Sequence, residues 1–314
     1  MSEVVRHVID SISPASAVQR AHAAQRQRAR GPLFEELAGA LAAAQHGPPR
    51  VARRALVVAL GDHGAGDPGI SLGAEHPTAA AAQELASGDA ALCKLARAAR
   101  ADLVLLDCGC AEPSHVPPSF IRLGRRPSGD ARQAAALTVL ETVAALEAGI
   151  AVAVSLVDSG VDVLGLGALG LGAEVACAAL AGALLDPSVR PAVEEPQLVE
   201  LGRSFAARGR PGPLEVLGAF AGPEQAVLTG VILAAASMNL PVVLDGESTA
   251  VAALVAARLA PACAGYVIAS QHGRGALPDL VRALGAAPVF AGGVGQGEGA
   301  GAAMVLALLA QLAE

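Results

Sequence analysis

The sequence predicts an α/β protein with a mainly parallel, Rossmann-like sheet flanked by helices. Three observations indicate this class. Short β-branched apolar runs alternate along the chain with alanine- and leucine-rich segments of helical length. The runs are continuously apolar, as is typical of strands buried on both faces of a parallel sheet. A polar or glycine-rich turn follows each run, as expected at the carboxyl ends of such strands.

The pattern assigns elements from residue 33 onward, within a single α/β unit spanning residues 1–314. The predicted strands are 55–60, 103–106, 161–166, 241–244, 266–269 and 288–291. The predicted helices are 33–45, 79–87, 93–100, 131–148, 175–185, 225–237, 248–259, 277–284 and 301–312. Residues 1–31 are polar and arginine-rich, with alanine at helical spacing, which favours a solvated face.

Composition excludes several classes of protein. Of 314 residues, 53% are apolar and only 16% charged, so the chain is not disordered. A net charge of −7 and 2% aromatic residues argue against a nucleic-acid partner. The uncharged stretch 226–244 is broken by Pro241, and we interpret it as a buried helix and strand, not a membrane span. Five cysteines and an N-terminus without an apolar leader favour a reduced, cytoplasmic protein.

Polar residues follow every predicted strand. They are Asp62-His63, Asp107, the turn 165–172, Asp245-Gly246-Glu247, Ser270-Gln271-His272 and the turn 292–301. In an open parallel sheet these positions share one edge, where loops and helix N-termini converge on ligands. We therefore expect the six turns to line one cleft, with Glu298 at its floor.

Two glycine-rich turns carry alternative interpretations. Gly165, Gly167 and Gly170 match the spacing of a dinucleotide fingerprint, but also that of tight strand–helix packing. An NAD-dependent oxidoreductase therefore stays an alternative, although no acid follows at the end of a second strand. In the turn 292–301, Glu298 is the one ionisable side chain, suited either to general-base chemistry or to capping the next helix.

Cys108 and Cys110 form a C-x-C pair. No second pair or histidine cluster lies near them in sequence, so we interpret them as small core residues at a strand end.

The order of these motifs resembles the nicotinate-nucleotide:dimethylbenzimidazole phosphoribosyltransferase family of cobalamin biosynthesis along nearly the whole chain. The matching segments are 33–37 with 45–47, Gly61-Asp62-His63-Gly64, Gly69-Ile70-Ser71 with Thr78, 106–109, 145–149, Pro241-Val-Val-Leu-Asp245-Gly246 and Gly297-Glu298-Gly299-Ala-Gly301-Ala-Ala.

The resemblance implies a homodimer with an α/β core over 50–300 and a small helical part formed by residues 1–49 and 301–314. It implies phosphoribosyl transfer from nicotinate mononucleotide to dimethylbenzimidazole or a related acceptor, with Glu298 as general base and without metal or cofactor. The implied substrate-binding positions are Asp62, His63, Ser71, Glu75, Asp107, Gly167, Leu169, Gly170, Leu171, Gly172, Glu174, Asp245 and Gly297.

The chain also departs from the family pattern. Its glycine-rich turn 167–175 lacks the family's second acid and places Glu174 where the family has a neutral residue beside phosphate. A later phosphate-binding loop is replaced by the Pro/Glu stretch 185–195, and Gly73-Ala74-Glu75 and Gly295-Gln296 replace further family residues. An alternative function is therefore a catalytically impaired relative that binds a heterocycle or nucleotide in a regulatory or unknown role.

Overall fold

The computed structural model describes residues 1–64, 70–124 and 126–312. Its strands are β1 (Arg54–Gly61), β2 (Ala101–Gly109), β3 (Ile121–Arg122), β4 (Val163–Leu169), β5 (Val242–Leu244), β6 (Val267–Gln271) and β7 (Pro288–Phe290). They form one sheet in the order β3-β2-β1-β4-β5-β6-β7, and every pairing is parallel. The predicted α/β class with a parallel Rossmann-like sheet is confirmed.

The helices lie on both faces of this sheet. They are α1 (Glu3–Asp10), α2 (Ala17–Gln27), α3 (Pro32–Ala44), α4 (Pro77–Ser87), α5 (Ala91–Ala98), α6 (Val139–Asp158), α7 (Ala173–Leu184), α8 (Pro196–Ala207), α9 (Pro213–Phe220), α10 (Pro223–Ser237), α11 (Gly246–Leu259), α12 (Leu277–Ala283) and α13 (Ala300–Leu309).

The central strand β1 explains why the strand runs are apolar throughout. All of its residues are buried. Val57 packs into the cluster that includes Leu146 of α6, whereas Leu56 packs into the opposite cluster with Leu306 of α13. Both faces of the strand therefore contact hydrophobic helices, and no alternation remains in the sequence.

The observed elements differ from the predicted ones at several places. The two-residue strand β3 and the helices α8 and α9 were not predicted. The helix predicted over 131–148 begins only at Val139, because Thr138 and Glu141 form a capping box there. It continues to Asp158, since alanine and valine sustain the helix beyond Gly149.

By its length and composition alone, helix α6 could cross a membrane, and 33% of its most apolar part is buried. In the fold it packs closely against α10, where Gly149 faces the backbone of Val227. It therefore serves as a packing helix of the α/β unit.

Gly149→Ala is expected to lower the free energy of unfolding by about 3 kcal/mol, because overpacking a tight contact forces backbone shifts. An added Cβ would lie 1.9 Å from the Val227 carbonyl oxygen. Chemical denaturation measures the loss. The matched control is Gly209→Ala, whose Cβ would meet nothing within 4 Å, and which should change stability by no more than about 0.5 kcal/mol. Equal effects of the two substitutions would contradict this account of the α6–α10 contact.

Candidate functional site

A cavity of about 820 Å³ opens at the carboxyl edge of the sheet. Among the described residues, the turns after β4, β5, β6 and β7 line it, together with α7 and the segment 192–195. Four of the six predicted turns therefore share one cleft. Asp62 and Asp107, from the turns after β1 and β2, are buried and do not line it.

The buried Asp62 carboxylate holds three loops together. Its Oδ1 accepts hydrogen bonds from Thr78 Oγ1 at 2.5 Å and from the Leu171 N–H at 3.0 Å. Its Oδ2 accepts one from the Ala111 N–H at 2.7 Å. In return, the His63 N–H donates to the Leu171 carbonyl. Asp62 and His63 thus position the glycine-rich turn after β4 from beneath the cleft.

Asp107 plays a comparable local part at the end of β2. The register between β1 and β2 shifts there, so that Leu60 pairs with Asp107 and Gly61 with Gly109. The Asp107 Oδ1 accepts the Gly109 and Cys110 N–H groups at 3.1 and 3.0 Å. The carboxylate therefore shapes the strand end and is directed away from the cavity lining.

His63 forms a buried pair that the sequence did not indicate. Its Nε2 lies 2.9 Å from a Glu224 carboxylate oxygen, and both side chains are almost completely inaccessible. Burial opposes the charged imidazole, but the charge and hydrogen bond of Glu224 outweigh it and raise the pKa of His63. Glu224 lies in the first turn of α10, so its proximity to His63 depends on tertiary structure alone.

The glycines after β4 allow backbone contact rather than a dinucleotide turn. Strand β4 continues to Leu169, so Gly165 and Gly167 lie within it. A Cβ on Gly165 would meet Leu56 and Leu306 side chains at 2.9–3.0 Å. A Cβ on Gly167 would lie 2.1 Å from the Glu298 carbonyl oxygen. Close packing explains this spacing, and the dinucleotide interpretation loses its structural basis.

The turn carrying Glu298 is fixed against β4. The Ala168 N–H donates to the Gly297 carbonyl at 3.0 Å, and Gly295, Gln296 and Gly297 line the cavity. The Glu298 carboxylate accepts the Gln296 N–H at 2.6 Å. The side chain is folded against its own turn and is not part of the described cavity lining, so it is not at the floor of the cleft as we expected.

Capping of α13 is performed by Asp245, not by Glu298. The Asp245 Oδ2 accepts the Gly299 and Gly301 N–H groups, both at 3.0 Å. Its Oδ1 accepts from Ser270 Oγ and the Gln271 amide. The capping interpretation of Glu298 is therefore wrong, and its carboxylate is available for other chemistry.

Burial raises the pKa of Asp245 from 3.8 to about 6, against the opposing effect of its hydrogen-bond donors. The folded protein therefore binds a proton that the unfolded chain has released, and the contribution of Asp245 to stability falls as pH rises from about 4 to about 6, by at most about 3 kcal/mol. We expect Asp245→Asn to flatten this slope and to lower stability overall, because its amide N–H₂ faces donors. Denaturant unfolding at several pH values measures the slope; an unchanged slope in the variant would refute the assignment.

The remaining predicted positions separate into three groups. Leu169, Gly170 and Glu174 line the cavity. Ser71 and Glu75 are exposed and are absent from the described lining, and Gly69 lies outside the described residues. Leu171 contacts Asp62 and His63 through its backbone, and Gly172 begins α7 with a left-handed conformation.

The cavity wall is acidic. Four carboxylates line it, those of Glu174, Glu194, Glu195 and Glu247, and Arg274 is the one arginine among the described lining residues. Burial raises the pKa of Glu247, although its Oε1 accepts the Ala276 N–H at 2.6 Å. Arg274 was missed in the sequence, yet its setting between Gly273 and Gly275 after β6 is the same signal that singled out Glu298.

A parallel sheet whose strand order reverses beside β1, with a cavity at its carboxyl edge, defines an α/β protein built to bind a small molecule. Residues 10–314 match the family model described as "Phosphoribosyltransferase", and the chain belongs to this family.

Named relatives agree with this assignment over nearly the full chain. The nicotinate-nucleotide–dimethylbenzimidazole phosphoribosyltransferase of Azotobacter vinelandii is 34% identical, covering 96% of this chain and 92% of the relative. The protein of the same name from Deinococcus radiodurans is 35% identical, covering 98% and 91%. The crystal structure of the Thermus thermophilus protein of that name superposes with a TM-score of 0.78 at 30% identity, covering 100% of this chain and 95% of that one.

Proposed function

We propose that this chain transfers phosphoribose from nicotinate mononucleotide to dimethylbenzimidazole or a related acceptor and releases nicotinate. The observation that carries the proposal is the Gly297-Glu298-Gly299 turn, fixed at the rim of the cleft in a member of the phosphoribosyltransferase family. The relatives named above carry this activity in their names. The alternative of a binding protein without turnover has no comparable support.

In the proposed mechanism, Glu298 acts as general base. As a ring nitrogen of the acceptor attacks C1′ of the ribose, the bond to nicotinate breaks and positive charge develops on the ribose. For the product to be neutral the acceptor ring must lose its N–H proton, and the Glu298 carboxylate can receive it. Because Asp245 already satisfies the α13 N–H groups, Glu298 can turn from the Gln296 N–H toward the acceptor without uncapping the helix.

The turn after β4 is proposed to contact the substrates. Leu169 and Gly170 line the cavity, and Leu169 offers an apolar wall for a planar heterocycle. Gly167, which packs against the backbone of Glu298, and Gly172, which has a positive φ, are proposed to shape the turn behind them. Asp62, His63, Asp107 and Asp245 are proposed to act as positioning residues beneath these contacts. Ser71 and Glu75 stay proposed acceptor-side positions on the exposed segment before α4.

The test is incubation of the purified protein with nicotinate mononucleotide and dimethylbenzimidazole, followed by chromatography. Release of nicotinate in equal amount to a phosphoribosylated benzimidazole is the expected result. Nicotinate release without that product would indicate hydrolysis, and absence of both would overturn the proposal. Soaking crystals with the two compounds shows whether each of them occupies the cleft.

We further propose that the protein is a cytoplasmic homodimer, with an α/β core over 50–300 and a helical part formed by residues 1–49 and 301–314. Leu72, Val139 and Leu140 are large apolar side chains with 77–81% of their surface exposed, as expected where a second chain covers them. The five cysteines are free, in keeping with a reducing compartment. Light scattering at micromolar concentration should give twice the chain mass; a monomer would contradict the dimer.

A further inference from the structure

Three potential metal ligands converge where the loops after β1 and β2 meet the start of α4. An Asp62 carboxylate oxygen, a His76 ring nitrogen and Cys110 Sγ all lie within 4.8 Å of one another. They come from three separate segments, so no sequence motif announces them. Each residue is at least nine-tenths buried.

One of these atoms has no other use among the described residues. His76 Nδ1 is fully buried and has no hydrogen-bond partner there. It lies 4.0 Å from Asp62 Oδ2, which is too long for a hydrogen bond. Leaving a buried ring nitrogen without a partner is unfavourable, because the nitrogen has lost its hydrogen bonds to water. His76 Nδ1 therefore lacks a partner that an ion placed between these side chains would supply.

We propose that Asp62, His76 and Cys110 bind one Zn²⁺ ion, with a fourth position open to water. An imidazole nitrogen, a thiolate and a carboxylate are the three ligand types that zinc takes in proteins. With bonds of about 2.0–2.3 Å, tetrahedral ligand atoms lie about 3.3–3.8 Å apart. The observed separations thus need to close by about 1.5 Å at most, a small change for side chains that meet around a single ion.

The competing arrangement is a thiol that stays protonated beside Asp62. Burial raises the pKa of Cys110 to about 12, and the nearby carboxylates add to the rise. In the absence of a metal, the proton stays on sulfur and His76 Nδ1 stays without a partner among the described residues. A bound cation reverses this balance, because it displaces the thiol proton and stabilises the thiolate.

The proposed ion has a structural consequence rather than a part in the transfer reaction. Asp62 already holds the turn after β4 through the Leu171 N–H. Zinc would connect this carboxylate to the end of β2 through Cys110 and to the N-terminus of α4 through His76. The loop beneath the cleft would then be fixed by one cross-link among three elements. Since this rests on Asp62, His76 and Cys110 alone, it holds whether or not the proposed transfer activity is found.

The test uses the full-length protein, freed of metal with a chelator and titrated with Co²⁺ as a spectroscopic substitute for Zn²⁺. We expect saturation at about one ion per chain, with a sulfur-to-cobalt charge-transfer band and the intense visible bands of a four-coordinate ion. Cys110→Ser should abolish the charge-transfer band. Loss of an outer-shell partner costs a metal site about 10–100-fold in affinity. His76→Ala removes a proposed ligand and should weaken binding by more than that. The matched control is Cys108→Ala, a buried cysteine two positions away that is not in the cluster.

A second measurement uses the wild-type protein, so that the test does not depend on whether Cys110→Ser and His76→Ala fold. In the wild-type protein, Zn²⁺ should protect Cys110 from alkylation, detected at the peptide level, and should raise the thermal midpoint in proportion to its saturation. The Cys108→Ala control should show the same rise. Absence of stoichiometric binding, a charge-transfer band that persists in Cys110→Ser, or alkylation of Cys110 that is indifferent to Zn²⁺ would each overturn the proposal.

Discussion

Glu298→Ala is expected to lower the rate of phosphoribosyl transfer by about 10²–10⁴-fold, the usual contribution of a positioned general base. The affinity for nicotinate mononucleotide should stay nearly unchanged. The carboxylate has no part in capping α13, which Asp245 performs, and it accepts the Gln296 N–H of its own turn. Steady-state kinetics combined with calorimetric titration of the nucleotide separates the two effects.

The matched control is Val294→Ala, in the same turn but not among the described residues that line the cavity. The backbone N–H of Gln296 that Glu298 accepts is retained, so the turn itself should keep its shape. Transfer by this variant should stay within a few-fold of the wild-type rate. Comparable loss in both variants would indicate that the turn, and not the carboxylate, is what the reaction requires.

Glu174→Thr is expected to strengthen nicotinate mononucleotide binding by about one to three decades. Glu174 lies in the first turn of α7 and lines the cavity, where it adds to the charge of Glu247, Glu194 and Glu195. A carboxylate about 4 Å from a phosphate opposes it by about 1–4 kcal/mol, depending on screening. Removing that charge restores the attraction between the helix N-terminus and the anion. Calorimetry on the wild-type protein and the variant measures the difference.

Glu35→Thr provides the control for net charge. Glu35 occupies the first turn of α3, as Glu174 does in α7, but it is not in the described cavity lining. Its substitution should leave nucleotide affinity unchanged, while adding salt should reduce the gain from Glu174→Thr. Tight nucleotide binding to the wild-type protein that does not depend on Glu174 would show that the phosphate is held elsewhere. A benzimidazole should bind measurably to either protein without the nucleotide.

The sequence pattern predicted the strands that are buried on both faces, because each of them is a continuous apolar run. The six strands predicted on that basis are present. The seventh, β3, has only two residues, both exposed, and so leaves no apolar run to detect. Helix α6 was predicted to begin at residue 131 because its alanines suit a helix, whereas the capping box at Thr138 decides where it starts. Alanine content alone does not distinguish these two starting points.

The sequence located the candidate site at one edge of the sheet, but it did not show which way the side chains at that edge face. Strand ends located Asp62, Asp107 and Asp245 correctly in the chain, yet each carboxylate points into backbone N–H groups rather than into the cavity. Which way a side chain faces at a strand end depends on neighbouring loops that are distant in sequence. Glu224 and His76 were missed for the same reason, since their respective neighbours His63 and Asp62 belong to other segments.

The contact between Gly167 and the peptide of Glu298 has a practical consequence for protein engineering. There is no room for a Cβ on residue 167 against the backbone of Glu298, so position 167 cannot take a larger residue without moving the turn, although the two lie on separate elements. A library that diversifies residues 292–299 to accept new heterocycles should hold position 167 as glycine. Variants that enlarge residue 167 would displace the turn 292–299 before any new pocket could be selected.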